Sequence, residues 1–156
     1  MSRRVLIPIT LVLGLTLPLL GCGRSARQEE RDATSIEAML EQYLPLLARV
    51  YADGDIELLR PYAVEKELAR MHALVQDLAD QGRYLAPEFK SVTVEKTHVW
   101  NNSNAFVSTL EVWNVRLLVL GRDELLAEDL DKNYRVKYQL KRSKTGWRIL
   151  FRAIQE

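Results

Sequence analysis

The sequence is poor in the residues that build most catalytic and metal centres. It has one Cys and two His in 156 residues. One Cys excludes an intrachain disulfide framework and any multi-cysteine zinc site, and two distant His leave little material for a histidine metal site. No resident metal or cofactor is expected. Charge of one sign is also missing: 22 Lys+Arg stand against 21 Asp+Glu, a net +1. A dedicated nucleic-acid binder carries a strongly basic balance, so nucleic acid is not an expected partner. Gly-rich phosphate loops, HExxH, CxxC and GxSxG patterns are absent. What is abundant is apolar surface: 47% hydrophobic residues, enough for one domain with a packed core.

That apolar content is uneven. A basic start, Met1-Ser2-Arg3-Arg4, leads into sixteen uncharged residues, Val5 to Leu20, followed by Gly21 and Cys22. A positive n-region, an apolar h-region and a small residue before the cut describe an export signal. The run is shorter than an ordinary span of about 20 residues, and Pro8, Gly14 and Pro18 interrupt it. Leu19-Leu20-Gly21-Cys22 resembles the lipobox of bacterial lipoproteins. The resemblance implies cleavage after Gly21, a diacylglycerol on the Cys22 thiol, an acyl chain on its amine, and membrane attachment through those chains. Residue +2 is Gly23 rather than Asp, which favours the outer membrane, facing the periplasm, in a two-membrane host. Residues 1–21 are therefore read as a signal peptide and 22–33 as the lipidated Cys with a flexible tether. The mature domain is assigned to 34–156, and the mature chain keeps 20 bases against 21 acids.

Within 34–156 the pattern is helices first and strands after. Thr34 and Glu37 form a capping box, and Ile36, Met39, Leu40, Tyr43, Leu47, Val50 and Tyr51 recur at helical spacing. Pro45 should bend this helix. Gly54 is a C-terminal stop and Asp55 the next N-cap, ahead of a short helix broken at Pro61. A third helix carries Val64, Leu68, Met71, Val75 and Leu78 and ends near Gly82. After Pro87 the period becomes two. Residues 88–100 and 104–120 read as strands joined at Asn101-Asn102-Ser103, and Tyr134, Val136, Tyr138 and Leu140 alternate with polar residues. Lys144-Thr145-Gly146 turns the chain into a last strand, Trp147 to Ile154, and the acidic stretch 121–132 is read as a loop or extended hairpin tip. The fold class is α+β: N-terminal helices on a curved antiparallel sheet of about four strands.

The run Ala52-Asp53-Gly54-Asp55-Ile56-Glu57-Leu58-Leu59, with Tyr134-x-Val136-x-Tyr138-x-Leu140 and Gly146-Trp147-Arg148-Ile149, is similar to the nuclear-transport-factor-2-like superfamily. The tail looks most like the IMS-type domains of chloroplast-division and cyanobacterial proteins and related bacterial lipoproteins. The resemblance implies a curved sheet wrapping a long helix into a cone, which either encloses a pocket or uses its sheet for pairing. Shared fold assigns no activity by itself.

Candidate chemistry is sparse. His72 sits among the apolar positions of the third helix and is read as a boundary histidine rather than a general acid or base. Glu95 and Glu111, on the two hairpin strands, would form a carboxylate pair only if both entered a closed pocket. Their threonine neighbours favour the polar sheet face. Arg135, Lys137, Lys141, Arg148 and Arg152 are expected on one side of the last strands as a ligand- or partner-binding set, with Trp113 and Tyr138 supplying aromatic surface. Residues 29–83 hold 12 acids and 6 bases, and residues 84–156 hold 12 bases and 9 acids. Three functional readings are compatible with this pattern. The leading one is a non-catalytic envelope lipoprotein that binds a protein partner, or a second copy, through its sheet. The alternatives are a binder of a small apolar or lipid-like ligand and a small isomerase, dehydratase or hydrolase of the cone-fold type.

Overall fold

A computed structural model describes residues 25–155, so the export signal and Cys22 lie outside the described residues. The order is α1 (Ala26–Asp53), a short 3-10 helix (Ile56–Leu59), α2 (Glu65–Asp80), then β1 (Arg83–Trp100), β2 (Asn104–Val119), β3 (Leu125–Ser143) and β4 (Gly146–Gln155). The strands form one antiparallel sheet in sequence order. The α+β arrangement is the one the sequence pattern implies.

Helix α1 is longer than its capping box indicates. It starts at Ala26, with the Ser25 side chain accepting from the Gln28 amide, so most of the expected tether is helical. Thr34 instead donates its hydroxyl to the Glu30 carbonyl at 2.9 Å, from inside the helix. Asp32, itself buried, accepts from Gln28 Nε2 (3.1 Å) and pairs with Arg142 of β3, which fixes these first turns to the sheet. Ile36, Leu40, Tyr43, Leu44, Leu47 and Val50 form the fully buried stripe. Burial of each such side chain is worth about 1.5–3 kcal/mol, which carries the helix through Pro45 despite the missing amide donor. Gly54 ends it in the left-handed region (φ 77°), its amide bonded to the Val50 carbonyl at 2.9 Å. Asp55 then caps the 3-10 helix by accepting from the Glu57 amide.

The sheet is strongly irregular. Extra residues interrupt the pairing at Lys90 and Glu95 in β1, near Leu130-Asp131 and at Leu126 in β3, and at Leu150 in β4. Such bulges bend and twist a strand and reverse which face its next residues occupy. The β1–β2 turn carries Asn101 and Asn102 at φ 51° and 55°, the left-handed pair of a tight hairpin. β3 begins at Leu125 and pairs with β2, so of the two readings of 121–132, loop or extended hairpin tip, the structure has the extended hairpin.

The two edges of the β3–β4 half differ. β4 is covered: the Val64 amide donates to the Ile149 carbonyl (2.9 Å), and the Ile149 amide to the Tyr62 carbonyl (2.7 Å). Arg70 of α2 adds a bond to the Arg152 carbonyl at 3.2 Å. β4 pairs only with Arg135–Ser143. Residues Leu125–Asn133 of β3 are all exposed and have no strand on the side away from β2 among the described residues.

Candidate functional site: the inner sheet face and the open strand

The alternation of β2 places Ala105, Val107, Thr109, Glu111 and Trp113 on the inner face, all buried. Glu111 is thus 0% exposed, and the two threonine-flanked carboxylates part company. The bulge at Glu95 sends that side chain outward, where it lies 3.7 Å from Arg135. No carboxylate pair forms.

Glu111 is saturated by donors. Its Oε1 accepts from the Tyr138 hydroxyl (2.5 Å) and from Thr109 Oγ1 (3.1 Å). Its Oε2 accepts from Arg152 Nη2 (2.9 Å) and from Trp113 Nε1 (3.0 Å). An ionised carboxylate has about four lone-pair positions, and here each oxygen meets two donors. Arg152 Nε also donates to the Tyr138 hydroxyl at 3.1 Å. Burial, opposed in part by Arg152, pushes the Tyr138 phenol well above its ordinary value. Burial works against the charge on Arg152, but Tyr138 and Glu111 outweigh it and raise its pKa. The cluster is a charge-compensated network in the core. A general base needs a free lone pair aimed at a substrate proton, and Glu111 offers none.

Beside this network a cavity of about 110 Å³ is lined by Leu47, Tyr51, Trp113, Tyr134, Arg152 and Ile154, among others. Pockets that hold drug-sized ligands run to about 300–1,000 Å³, so this cavity is too small for one. A third buried acid, Glu67, takes two bonds from Arg70 (2.6 and 2.8 Å) and is a structural tie between turns of α2.

The candidates from sequence divide between two faces. Arg152, Trp113 and Tyr138 meet inside. Arg135, Lys137 and Lys141 are exposed on the outer face of β3. Arg148 is half-buried and donates to the carbonyls of Arg60 (2.8 Å) and Ala63, so it fastens the 3-10 segment to β4. Arg152 departs from the expected common basic side because the extra residue Leu150 shifts the face of β4. The consecutive apolar residues Ile149-Leu150-Phe151 are the sequence signal of that break in alternation. His72 is exposed on α2. Among the described residues no group of three or more His, Cys, Asp or Glu is arranged to hold a metal ion.

Comparison with known proteins agrees with this architecture. The family described as "ARC6-like, IMS domain" matches residues 50–150. The crystal structure of the intermembrane space region of the chloroplast protein ARC6 superposes with a TM-score of 0.68 at 20% identity, over 79% of this chain and 95% of that one. A periplasmic fragment of TraM gives 0.53 at 14% identity, over 81% and 97%. An NTF2-like protein involved in plasmid conjugation gives 0.56 at 11%, over 80% and 49%. None of the curated proteins matches the sequence. With the family match spanning most of the two-layer domain, the chain belongs to the ARC6-like IMS domain family, on an NTF2-like fold.

Proposed function

We propose that this protein is an envelope lipoprotein, anchored through Cys22, whose IMS-type domain is a non-catalytic module that binds another protein by strand addition. The observation that carries the reading is the open edge of β3 from Leu125 to Asn133. Unpaired backbone groups on an exposed strand are a template for another strand. Leu125, Leu126 and Leu130 are 52%, 48% and 62% exposed there, available to a partner's apolar side chains. Glu124, Glu128, Asp129 and Asp131 give the edge a negative charge. The occupant that fits is an extended segment with basic residues between apolar ones. A second copy would bring the same acids against themselves, which like-charge repulsion disfavours.

The saturated Glu111 supports the non-catalytic half of the reading. The small volume of the cavity beside Trp113 and Arg152 weighs against a lipid-like ligand there. The lipobox at Cys22 and the envelope setting of the structural relatives support a periplasm-facing, lipid-anchored location, in the outer membrane where the host has one.

The test is photo-crosslinking in living cells from a probe at Leu126 or Leu130 of the full chain, compared with a probe at His72 on α2. A discrete heterologous adduct from the β3 positions alone, lost from the Leu126 probe in Leu130→Pro with the far-ultraviolet spectrum unchanged, is the expected result. No adduct from the edge, or an adduct of twice the chain mass, rejects strand addition by a partner.

A further inference from the structure

Trp100 and Phe106 stack with centroids 4.6 Å apart and planes 23° from parallel, and His98 stacks on Trp100 at 6.2 Å and 16°. His98 and Phe106 are register partners on the outer face of the β1–β2 hairpin, and Trp100 comes next on the same face opposite Asn104. Phe106 is 52% exposed. Adjacent rows of that face hold Lys96 opposite Ser108 and Lys137, and Lys141 opposite Asn104. All three lysines are exposed, and Lys96, His98, Phe106 and Lys137 line a shallow open depression. Glu95, the acid beside these rows, already faces Arg135. The inner network does not use any of these side chains.

The position of this patch is set by α1. The first turns of the helix share a groove with Val94–Val99 of β1, Ala26 and Glu29 among its lining. Arg142 ties the same end together: it pairs with Asp32 of α1 and donates Nε to the Asn102 carbonyl at 2.9 Å. Helix α1 therefore begins at the end of the sheet that carries the aromatic stack. Cys22 is three residues before Ser25. Three Cα–Cα steps of 3.8 Å reach at most about 11 Å, so an acylated Cys22 holds this end of the domain against the bilayer. The opposite end of β2 and β3 carries Asp123, Glu124, Glu128, Asp129 and Asp131. An anionic surface attracts the lysine end and repels the acidic tip, which orients the domain upright.

We propose that the outer sheet face around Trp100 and Phe106 docks on the anionic lipid surface that holds the Cys22 acyl chains. The rings sit at headgroup level, as amphipathic aromatics do, and Lys96, Lys137 and Lys141 face lipid phosphates. Glu29, Glu30 and Glu37 face the groove at the β1 edge, beside the exposed Arg27 and Arg31 of the same helix. The inference rests on the lipoprotein reading above and adds to it a defined orientation, with the open β3 edge held away from the membrane.

The experiment uses the lipidated full chain, extracted in detergent and reconstituted into phosphatidylcholine vesicles with or without phosphatidylglycerol, the acyl chains brominated. Trp113 and Trp147 are buried, so the difference between wild type and Trp100→Phe isolates Trp100 emission. Quenching of that component in phosphatidylglycerol vesicles is the expected result. The docked-to-free ratio falls about fivefold for each of Lys96→Gln, Lys137→Gln and Lys141→Gln. Three results overturn the proposal: an unquenched Trp100 in anionic vesicles on which the chain floats, quenching equal in pure phosphatidylcholine, or chain-to-chain crosslinking through this face in detergent. Flotation separates the two readings: a chain that fails to float lacks the anchor and removes both, whereas a floating chain with free Trp100 removes only the docking.

Discussion

Arg152 of β4 and Glu111 of β2 meet at 2.9 Å on the inner face of the sheet, 41 residues apart in sequence. Glu111 is fully buried and Arg152 is 8% exposed. Neither strand is the other's neighbour, because β3 lies between them, so the two side chains meet across it. Tyr138 of β3 bridges the two, donating to Glu111 and accepting from Arg152. A buried pair of this kind is weak evidence for net stability against an apolar alternative, but its members depend strongly on each other.

Removing one partner should therefore be costly. Arg152→Met and Glu111→Leu are each expected to lower unfolding free energy by about 3–5 kcal/mol, and the double variant by less than the sum. Urea denaturation of the four chains measures the coupling. Additive losses would mean that the two groups are stabilised independently.

Alkaline pH should destabilise the protein through its buried phenols. Burial raises the folded-state values of Tyr43, Tyr138 and, to a lesser extent, Tyr51. In the unfolded chain these groups lose protons near pH 10, while the folded chain keeps them. Above that pH the native state binds more protons than the unfolded state, so stability falls as pH rises. Their contribution is intact below about pH 10. Tyrosinate absorbance should show the buried part of the six tyrosines ionising only together with unfolding; free titration of all six near pH 10 would contradict this.

The first turns of α1 should depend on a buried tie to the sheet. Asp32 is buried and pairs with Arg142, whose guanidinium also lies 4.4 Å from the Trp147 ring centroid. Asp32→Ala should raise hydrogen exchange at residues 26–34 by about ten- to a hundredfold, since loss of a charged bond is worth about 1.5–3 kcal/mol, while residues 40–50 keep their protection. Uniform loosening along the whole helix would show that the tie is not local.

Substitutions on the β3 edge should separate binding from stability. Leu126→Lys and Leu130→Lys replace exposed side chains, and surface changes of this kind usually stay within about 0.5 kcal/mol. Thermal melts are expected to be unchanged, while each substitution abolishes the adduct from a probe at the other leucine. A melt lowered by more than a few degrees would identify these leucines as structural.

How much of the fold and of the inner network is legible along the chain varies with the kind of contact. The Gly54 stop, the Asp55 cap and the Asn101-Asn102 turn are local, because each depends on backbone geometry within a few residues. The α1 start is not legible, because Ser25 caps the helix from a stretch without apolar period, and Asp32 is anchored by Arg142, 110 residues away. Thr109 and Glu111 resemble the solvent side of a hairpin because a polar residue at an alternating position carries no mark of which face is inside.

By itself the sequence determined the helix stripes, the switch to strand periodicity, the hairpin turns and the solitary Cys22 after Leu-Leu-Gly. These arise from spacing and local propensity, which any single stretch of chain contains. The tertiary structure decided that Glu111 and Arg152 neutralise each other, that Arg148 is spent on carbonyls, and that β3 keeps an open edge. The reason is register: bulges at Lys90, Glu95, Leu126 and Leu150 each reverse the face of the residues beyond them, and a bulge is fixed by the partner strand, not by the residues that form it.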